Sequence, residues 1–293
     1  MKILTFGQTG QLAKALKRTK PNNIELTQLS RQQVDITQPQ LIDEALEYYR
    51  PDIIINCAAF TDVERAENNG PQVLQTNVEA VKFMVNTASK LGIRFIQLST
   101  DYVFDGNSSL PYSVNQKPTA INVYGQSKLL AEKVILQQQS NQYCIVRTSW
   151  LYHYSGKNFV TTMLKLMSQA QSNSHIISVV NDQTGSPTMV DDLAHFLWKL
   201  CLQKQWSAIY HWSDAGKCTW YEFALEIQSQ ALALGLIPST VSLIPVTSEQ
   251  YNSCVKRPSF SVLDTKQSHS IVKPKPWQQQ LAHSLNSYSL DKE

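Results

Sequence analysis

The chain of 293 residues carries 26 lysines and arginines against 23 aspartates and glutamates, a formal net charge of +3, with 42% hydrophobic and 17% charged residues. That balance excludes a chain dominated by disorder and allows a sizeable core, in one compact unit or two closely joined ones. The basic residues are spread instead of blocked and no apolar run reaches membrane-spanning length, so neither a nucleic-acid nor a membrane partner is expected.

The opening MKILTFGQTG runs straight into a strand and a glycine turn with no signal-like stretch, which reads as a cytoplasmic protein. Short apolar runs at Lys2–Phe6, Ile24–Leu29, Asp52–Ala58, Arg94–Leu98 and Tyr143–Arg147 read as strands. Between them, Gln11–Arg18, Leu41–Tyr49 and Pro71–Lys90 have helical periodicity, with Pro39 ahead of the second and Gly92 past the third. Strand and helix in alternation predict α/β architecture, a doubly wound parallel, Rossmann-type sheet covered on both faces. After Trp150 the rhythm changes: helices are expected over Asn158–Met167, Val190–Leu202 and Thr219–Leu234, and strands over Ile176–Val180 and Ile209–Trp212. The division read from this is a dinucleotide-binding part over 1–151, with elements near 188–213 packing on it, and a smaller α/β substrate part over 152–293. The cysteines Cys57, Cys144, Cys201, Cys218 and Cys254 are widely spaced and suit reduced core thiols, and no histidine spacing supports a metal.

Gly7, Thr9, Gly10, Gln11 and Leu12 follow the first strand and open the first helix, where a pyrophosphate can rest on unpaired backbone N–H groups. The spacing is G-x-x-G-x-x-A, and the bland alternative is a tight turn with no ligand. After the second strand comes Leu29-Ser30-Arg31, with no acidic residue to meet a ribose 2′-hydroxyl. A hydroxyl and a guanidinium suit a 2′-phosphate, which favours NADPH while leaving NADH possible, unless Arg31 is simply a solvated loop residue.

Tyr124 and Lys128 are four residues apart at the start of a helix that follows the fourth strand. That spacing puts both on one face, where the ammonium is expected to lower the phenol's pKa and make it a usable acid, and to reach the nicotinamide ribose. The pattern is weak alone, since Tyr288 and Lys292 repeat it in the polar tail. Position supports the first pair, because open α/β sheets bind ligands outside the carboxyl ends of their strands. Ser99, Thr100 and Asp101 end the fourth strand, and Thr100 is the first choice for a hydroxyl donating to a carbonyl oxygen as charge grows there.

"GQTGQLA" at 7–13, "NCAAFTDVERAE" at 56–67, "STDYVFDG" at 99–106, "NVYGQSK" at 122–128, "RTSWLY" at 147–152, "NDQTGSPT" at 181–188 and "RPSFSVLDTKQ" at 257–267 resemble, in order and over nearly the whole chain, the dTDP-4-dehydrorhamnose reductases of the extended short-chain dehydrogenase/reductase family. The resemblance implies NADPH-dependent reduction of a nucleotide-sugar C4 ketone, with Tyr124 as proton donor, Lys128 as its partner and ribose ligand, and Thr100 orienting the carbonyl. It further implies that Ala58, Ala59, Thr61 and Ser99 line the cofactor, with Asp35 and Ile36 near the adenine, and that Thr100, Asp101, Val103 and Trp150 meet the sugar. Arg257 is a diphosphate candidate because its planar fork matches phosphate oxygens, or else it closes a surface turn before Pro258. Some relatives pair subunits through magnesium held by acidic side chains. Ala15 and Val190 stand at those places here, so a metal-dependent dimer is not implied and the chain is expected as a monomer or homodimer. Two rivals stay open: reduction of another dTDP-4-keto-6-deoxy sugar, of dihydrostreptose type for example, and a non-catalytic subunit like the regulator of methionine adenosyltransferase.

Overall fold

Strands whose side chains are apolar on both faces need cover on both faces, and the chain supplies it by crossing over with a helix after each strand. The computed structural model describes residues 1–173 and 176–290. Its first half runs β1 (Lys2–Phe6), α1 (Gln11–Arg18), β2 (Glu25–Leu29), α2 (Pro39–Tyr49), β3 (Ile53–Asn56), α3 (Val63–Glu67), α4 (Gly70–Leu74), α5 (Ala80–Leu91), β4 (Arg94–Thr100), α6 (Val123–Leu136) and β5 (Tyr143–Thr148). The second half holds β6 (Leu151–Tyr152), α7 (Phe159–Asn173), β7 (Ile177–Val180), β8 (Thr184–Gly185), β9 (Thr188–Met189), α8 (Val190–Cys201), β10 (Ile209–His211), β11 (Cys218–Thr219), α9 (Trp220–Ala233), β12 (Leu243–Val246) and α10 (Trp277–Leu290).

The main sheet has the order β2-β1-β3-β4-β5-β10 and is parallel throughout. Its winding reverses between β1 and β3, which opens a crevice beyond their carboxyl ends. Period-two alternation sorts the core: Ile3, Ile53 and Ile55 pack with Leu12 and Leu16 of α1 and Leu193 and Leu197 of α8. Leu4, Phe6 and Ile54 face the other way, onto Met84 and Val85 of α5 and Ala131 and Ile135 of α6. Thus α8 and β10, late in sequence, complete the main sheet and one of its faces. A separate core of Tyr152, Met163, Met167, Phe223, Ile227, Leu281 and Leu285 joins α7, α9 and α10.

Several differences from the sequence reading have local causes. The helix expected over Pro71–Lys90 is broken by a π-helical turn at Gln75–Glu79, which turns buried Asn77 inward. There it accepts from the Phe60 N–H at 2.8 Å and donates to the Phe60 carbonyl at 3.0 Å and to Ser127 Oγ at 2.9 Å. Helix α3, unexpected, starts where the Asp62 carboxylate accepts the Arg65 N–H at 3.0 Å. Cys254 is exposed and Cys57 half-buried, so only three of the five thiols are buried as expected. Tyr288 packs against the second core, and Lys292 lies outside the described residues.

Candidate active site

Gly7 ends β1 in the left-handed region, at φ 95°, and a Cβ there would lie 3.2 Å from the backbone of Cys57 and Ala58 beyond β3. Gly10 immediately precedes α1, and the place of its missing Cβ has nothing within 4 Å. The unpaired N–H groups of the helix start therefore border open space flanked by two strand ends. A phosphate carrying negative charge fits this cradle, since the first turn of α1 holds no acidic side chain to repel it.

A cleft of 730 Å³ spans these strand ends. Gly7, Thr9, Gly10, Gln11 and Leu12 line it from the glycine turn, Arg31, Asp35 and Ile36 from beyond β2, and Ala58, Ala59 and Thr61 from beyond β3. Across β4, α6 and β5 it is lined by Ser99, Thr100, Asp101, Tyr124, Lys128 and Trp150. Arg31 is 77% exposed in its side chain and stands 3.5 Å from Asp35, whose carboxyl is lowered first by the Thr37 N–H.

Three expected residues lie elsewhere. Ser30 does not line the cleft; its hydroxyl donates to Gln33 Oε1 at 3.0 Å. Val103 is wholly buried among Phe104, Tyr112 and Leu263, because the tight turn after β4 sends it inward. Arg257 lines an adjoining 500 Å³ cavity, donating to Glu64 Oε1 at 3.1 Å and bonding Ser253. It also acts on the phenol of Tyr102, a residue that does line the cleft.

The start of α6 is fixed from several directions. Asn122 caps it, accepting the Gly125 N–H at 2.8 Å and donating to the Lys256 carbonyl at 3.1 Å. Gly125 is required there, since a Cβ would lie 2.2 Å from the Tyr102 carbonyl oxygen. This close approach brings Tyr124 against the end of β4, edge-on to Tyr102 with ring centroids 6.0 Å apart.

The electrostatics differ from the expectation in one respect. Burial pushes the Tyr124 phenol up to about 12, with the Thr100 hydroxyl opposing and the Asp101 carboxylate adding to the rise. Burial likewise pushes Lys128 down to about 8, opposed by the charge of Glu132. The expected lowering of the phenol by the ammonium is not among the influences on Tyr124, and burial disfavours the charged form of each group. Asp101 is raised by burial to about 6, opposed first by the Ser261 hydroxyl, and its Oδ2 is buried. Thr100 donates to the other oxygen at 3.1 Å.

Trp150 has a left-handed backbone, φ 47°, and its indole lies between Gly185 and Trp220. A Cβ on Gly185 would come within 2.5 Å of it, while the Trp220 ring stacks at 3.5 Å and 7°. Trp220, which also lines the cleft, was not singled out by sequence. The Thr219–Glu222 capping box signals the helix start on which it sits, but nothing local reports the stacking partner 70 residues away. Asn77 was missed for the same reason. Among the described residues, no group of three or more His, Cys, Asp or Glu could hold a metal ion.

Residues 1–290 match the family described as RmlD substrate binding domain. The spore coat polysaccharide biosynthesis protein SpsK of Bacillus subtilis (strain 168) is 33% identical over 290 residues, covering 98% of each chain. The dTDP-4-dehydrorhamnose reductase of Escherichia coli (strain K12) is 33% identical over 297 residues, 98% of this chain and 97% of the relative. Among solved structures, dTDP-4-dehydrorhamnose reductase from Bacillus anthracis in complex with NADP superposes with a TM-score of 0.89 at 32% identity, covering 98% of this chain and 99% of that one.

Proposed function

The chain belongs to the RmlD substrate binding domain family, and we infer that it is an NADPH-dependent oxidoreductase that reduces the C4 ketone of dTDP-4-dehydro-β-L-rhamnose to dTDP-L-rhamnose. The observation that carries this reading is the meeting of Thr100, Tyr124 and Lys128 with the phosphate-fitting glycine turn on one cleft. Bound NADPH supplies the hydride that reduces C4.

The rest of the chemistry falls to the protein. A phenol raised to about 12 stays protonated at neutral pH, so Tyr124 holds the proton that the C4 oxygen takes up. Thr100 turns its one hydroxyl hydrogen from Asp101 to that oxygen as negative charge builds on it. Lys128, cationic below about 8, stabilises the phenolate left behind and binds the ribose hydroxyls. The Asp101 carboxylate accepts from a sugar hydroxyl, and Trp150 walls the sugar. Gly7, Thr9, Gly10, Gln11, Leu12, Ala58, Ala59, Thr61 and Ser99 would hold the dinucleotide, with Asp35 and Ile36 toward its adenine. Arg31 would meet a 2′-phosphate, which favours NADPH while leaving NADH possible.

Residues 1–151 with the elements near 188–213 serve the dinucleotide, and 152–293 mainly the nucleotide sugar, with Arg257 and its cavity on the diphosphate side. No helix among the described residues is long and apolar enough to cross a membrane. The enzyme works in the cytoplasm as a monomer or homodimer, without magnesium, nucleic acid or membrane, and its product enters polysaccharide biosynthesis. The test is NADPH absorbance with dTDP-4-dehydrorhamnose, the product identified by NMR. Absence of NADPH oxidation removes the reading; oxidation with a different 4-keto sugar alone moves it to that sugar.

A further inference from the structure

Behind the cleft lies a buried ion pair that none of the roles above uses. Glu132 and Arg147 are each 1% exposed in their side chains, and they form a two-point ion pair, Nε to Oε1 at 2.9 Å and Nη2 to Oε2 at 2.6 Å. Ser99 donates to the same Oε1 at 2.5 Å. On its far side the Arg147 guanidinium sits 3.2 Å from His211 Nε2 and 5.1 Å over the Phe104 ring.

We propose that Glu132 is a positioning residue of the active site: it anchors the end of β4 through Ser99 and, paired with Arg147 of β5, sets one buried carboxylate a helical turn from Lys128. This rests on the role given to Lys128 above.

Stability alone does not explain such a pair, because well-packed apolar side chains of similar volume serve a core as well or better. Its place in the fold does. Glu132 lies one helical turn beyond Lys128 on the same face of α6, and Ser99 directly precedes Thr100 on β4. One carboxylate thus ties the strand that carries the carbonyl-orienting hydroxyl to the helix that carries the acid and the amine.

Lys128 is buried, and the charge that acts on it is that of Glu132 on its own helix. Arg147 of β5 reaches Glu132, and His211 of β10 reaches Arg147; Tyr124 shares the helix, Asp101 and Tyr102 follow β4, and Cys57 follows β3. Tyr124, Tyr102 and Cys57 are raised by burial and uncharged near neutrality, and His211 is pushed down to about 3 by burial and by Arg147, so it too is neutral. Asp101 is raised to about 6 and has already ionised where Lys128 titrates. The charge that supports the Lys128 ammonium is that of Glu132. Removing Glu132 leaves Arg147 uncompensated, and removing Arg147 leaves Glu132 uncompensated, so the two changes act on Lys128 with opposite signs.

The experiment follows NADPH affinity by fluorescence from about pH 6 to about pH 10, a window that spans the ordinary lysine value. Wild-type affinity weakens as pH rises through about 8, and Lys128→Met makes the profile flat. If the wild type has no such midpoint, or Lys128→Met retains it, the role of Lys128 itself fails. Given that pattern, Glu132→Gln lowers the midpoint by about one pH unit, Arg147→Met raises it by about as much, and the double variant returns it close to wild type. A purely structural pair would lower thermal stability and leave the midpoint where it was, and unmoved midpoints in both single variants overturn the proposal. Truncating one partner of a buried pair is strongly destabilising, so Ser99→Ala is measured alongside. It leaves the ion pair intact and lowers kcat roughly tenfold with the midpoint kept. If neither charge variant folds, an unchanged kcat in Ser99→Ala overturns the proposal.

Discussion

The end of the cleft assigned above to the cofactor rests on a six-stranded parallel sheet, whereas the end assigned to the sugar rests on strand pairs two to four residues long. At the first, Gly7, Ala58 and Thr100 each stand within two residues of a strand end, so the sheet alone fixes their spacing. At the second, Trp150 is held by Gly185 and Trp220, and isolated bridges such as Thr184 to Phe260 and Tyr112 to Leu263 tie in the tail. On the proposed assignment, a rigid regular scaffold carries the keto-reduction chemistry, and an irregular one, easier to vary by short insertions and single substitutions, carries the discrimination between sugars.

Breaking the regular end should have the largest effect. Tyr124→Phe removes the proton and little else, since the ring and its edge contact with Tyr102 remain. The expected loss in kcat is about 10²–10⁴-fold, with NADPH binding retained in a fluorescence titration. A loss confined to KM would put the acid elsewhere. The irregular end is broken by Gly185→Ala, whose added Cβ meets the Trp150 ring at 2.5 Å. Overpacking of this kind costs about 1–3 kcal/mol. Read out entirely in sugar binding, it raises the nucleotide-sugar KM on the order of tenfold to a hundredfold, while NADPH affinity is kept. Equal damage to both ligands would mean that the two ends are not mechanically separate.

The same contrast explains what could be read in the amino-acid sequence. Helix α1 was found at its true bounds because a glycine turn, a helical period and a following polar stretch agree over Gln11–Arg18. The six strands of the main sheet and β7 were found to within a few residues, and with them the cleft positions of Thr100, Tyr124 and Lys128, whereas β6, β8, β9, β11 and β12 carry no alternation long enough to read. Val103 was misplaced because position in a motif does not say which way a tight turn sends a side chain. The phenol's pKa was misjudged for a related reason: spacing reports which groups share a face, not how far the fold strips them of water. Trp220 and Glu132 owe their roles to residues distant in sequence or on another element, and no local pattern carries that.

Asp101, at the border between the two ends, sharpens the comparison through stability instead of rate. Its carboxyl is raised from the ordinary 3.8 to about 6, chiefly by burial, so the folded chain holds the proton more tightly than the unfolded one. The favourable contribution is full below the unfolded value and is lost as pH rises through about 6. Asp101→Asn keeps a neutral group of the same shape and should melt at a higher temperature than wild type near neutral pH, the gap closing toward about pH 4. Its sugar KM should rise at the same time, because Oδ2 no longer offers a charged acceptor. A melting difference independent of pH would show that ionisation is not the cause.

The smallest effect belongs to Arg31, at the outer rim of the regular end. Its guanidinium is 77% exposed and stands 3.5 Å from Asp35, so any bond it makes to a 2′-phosphate competes with solvent and with that carboxylate. A charge-assisted hydrogen bond contributes about 1.5–3 kcal/mol, and exposure places this one at the lower limit, about tenfold in affinity. Arg31→Ala should therefore weaken NADPH by about that factor and leave NADH unchanged, since only the former carries the phosphate. Parallel titrations with the two dinucleotides decide it. If NADH weakens equally, Arg31 supports the adenine loop as a whole, and the preference for the phosphorylated cofactor must come from the backbone between Ser30 and Asp35.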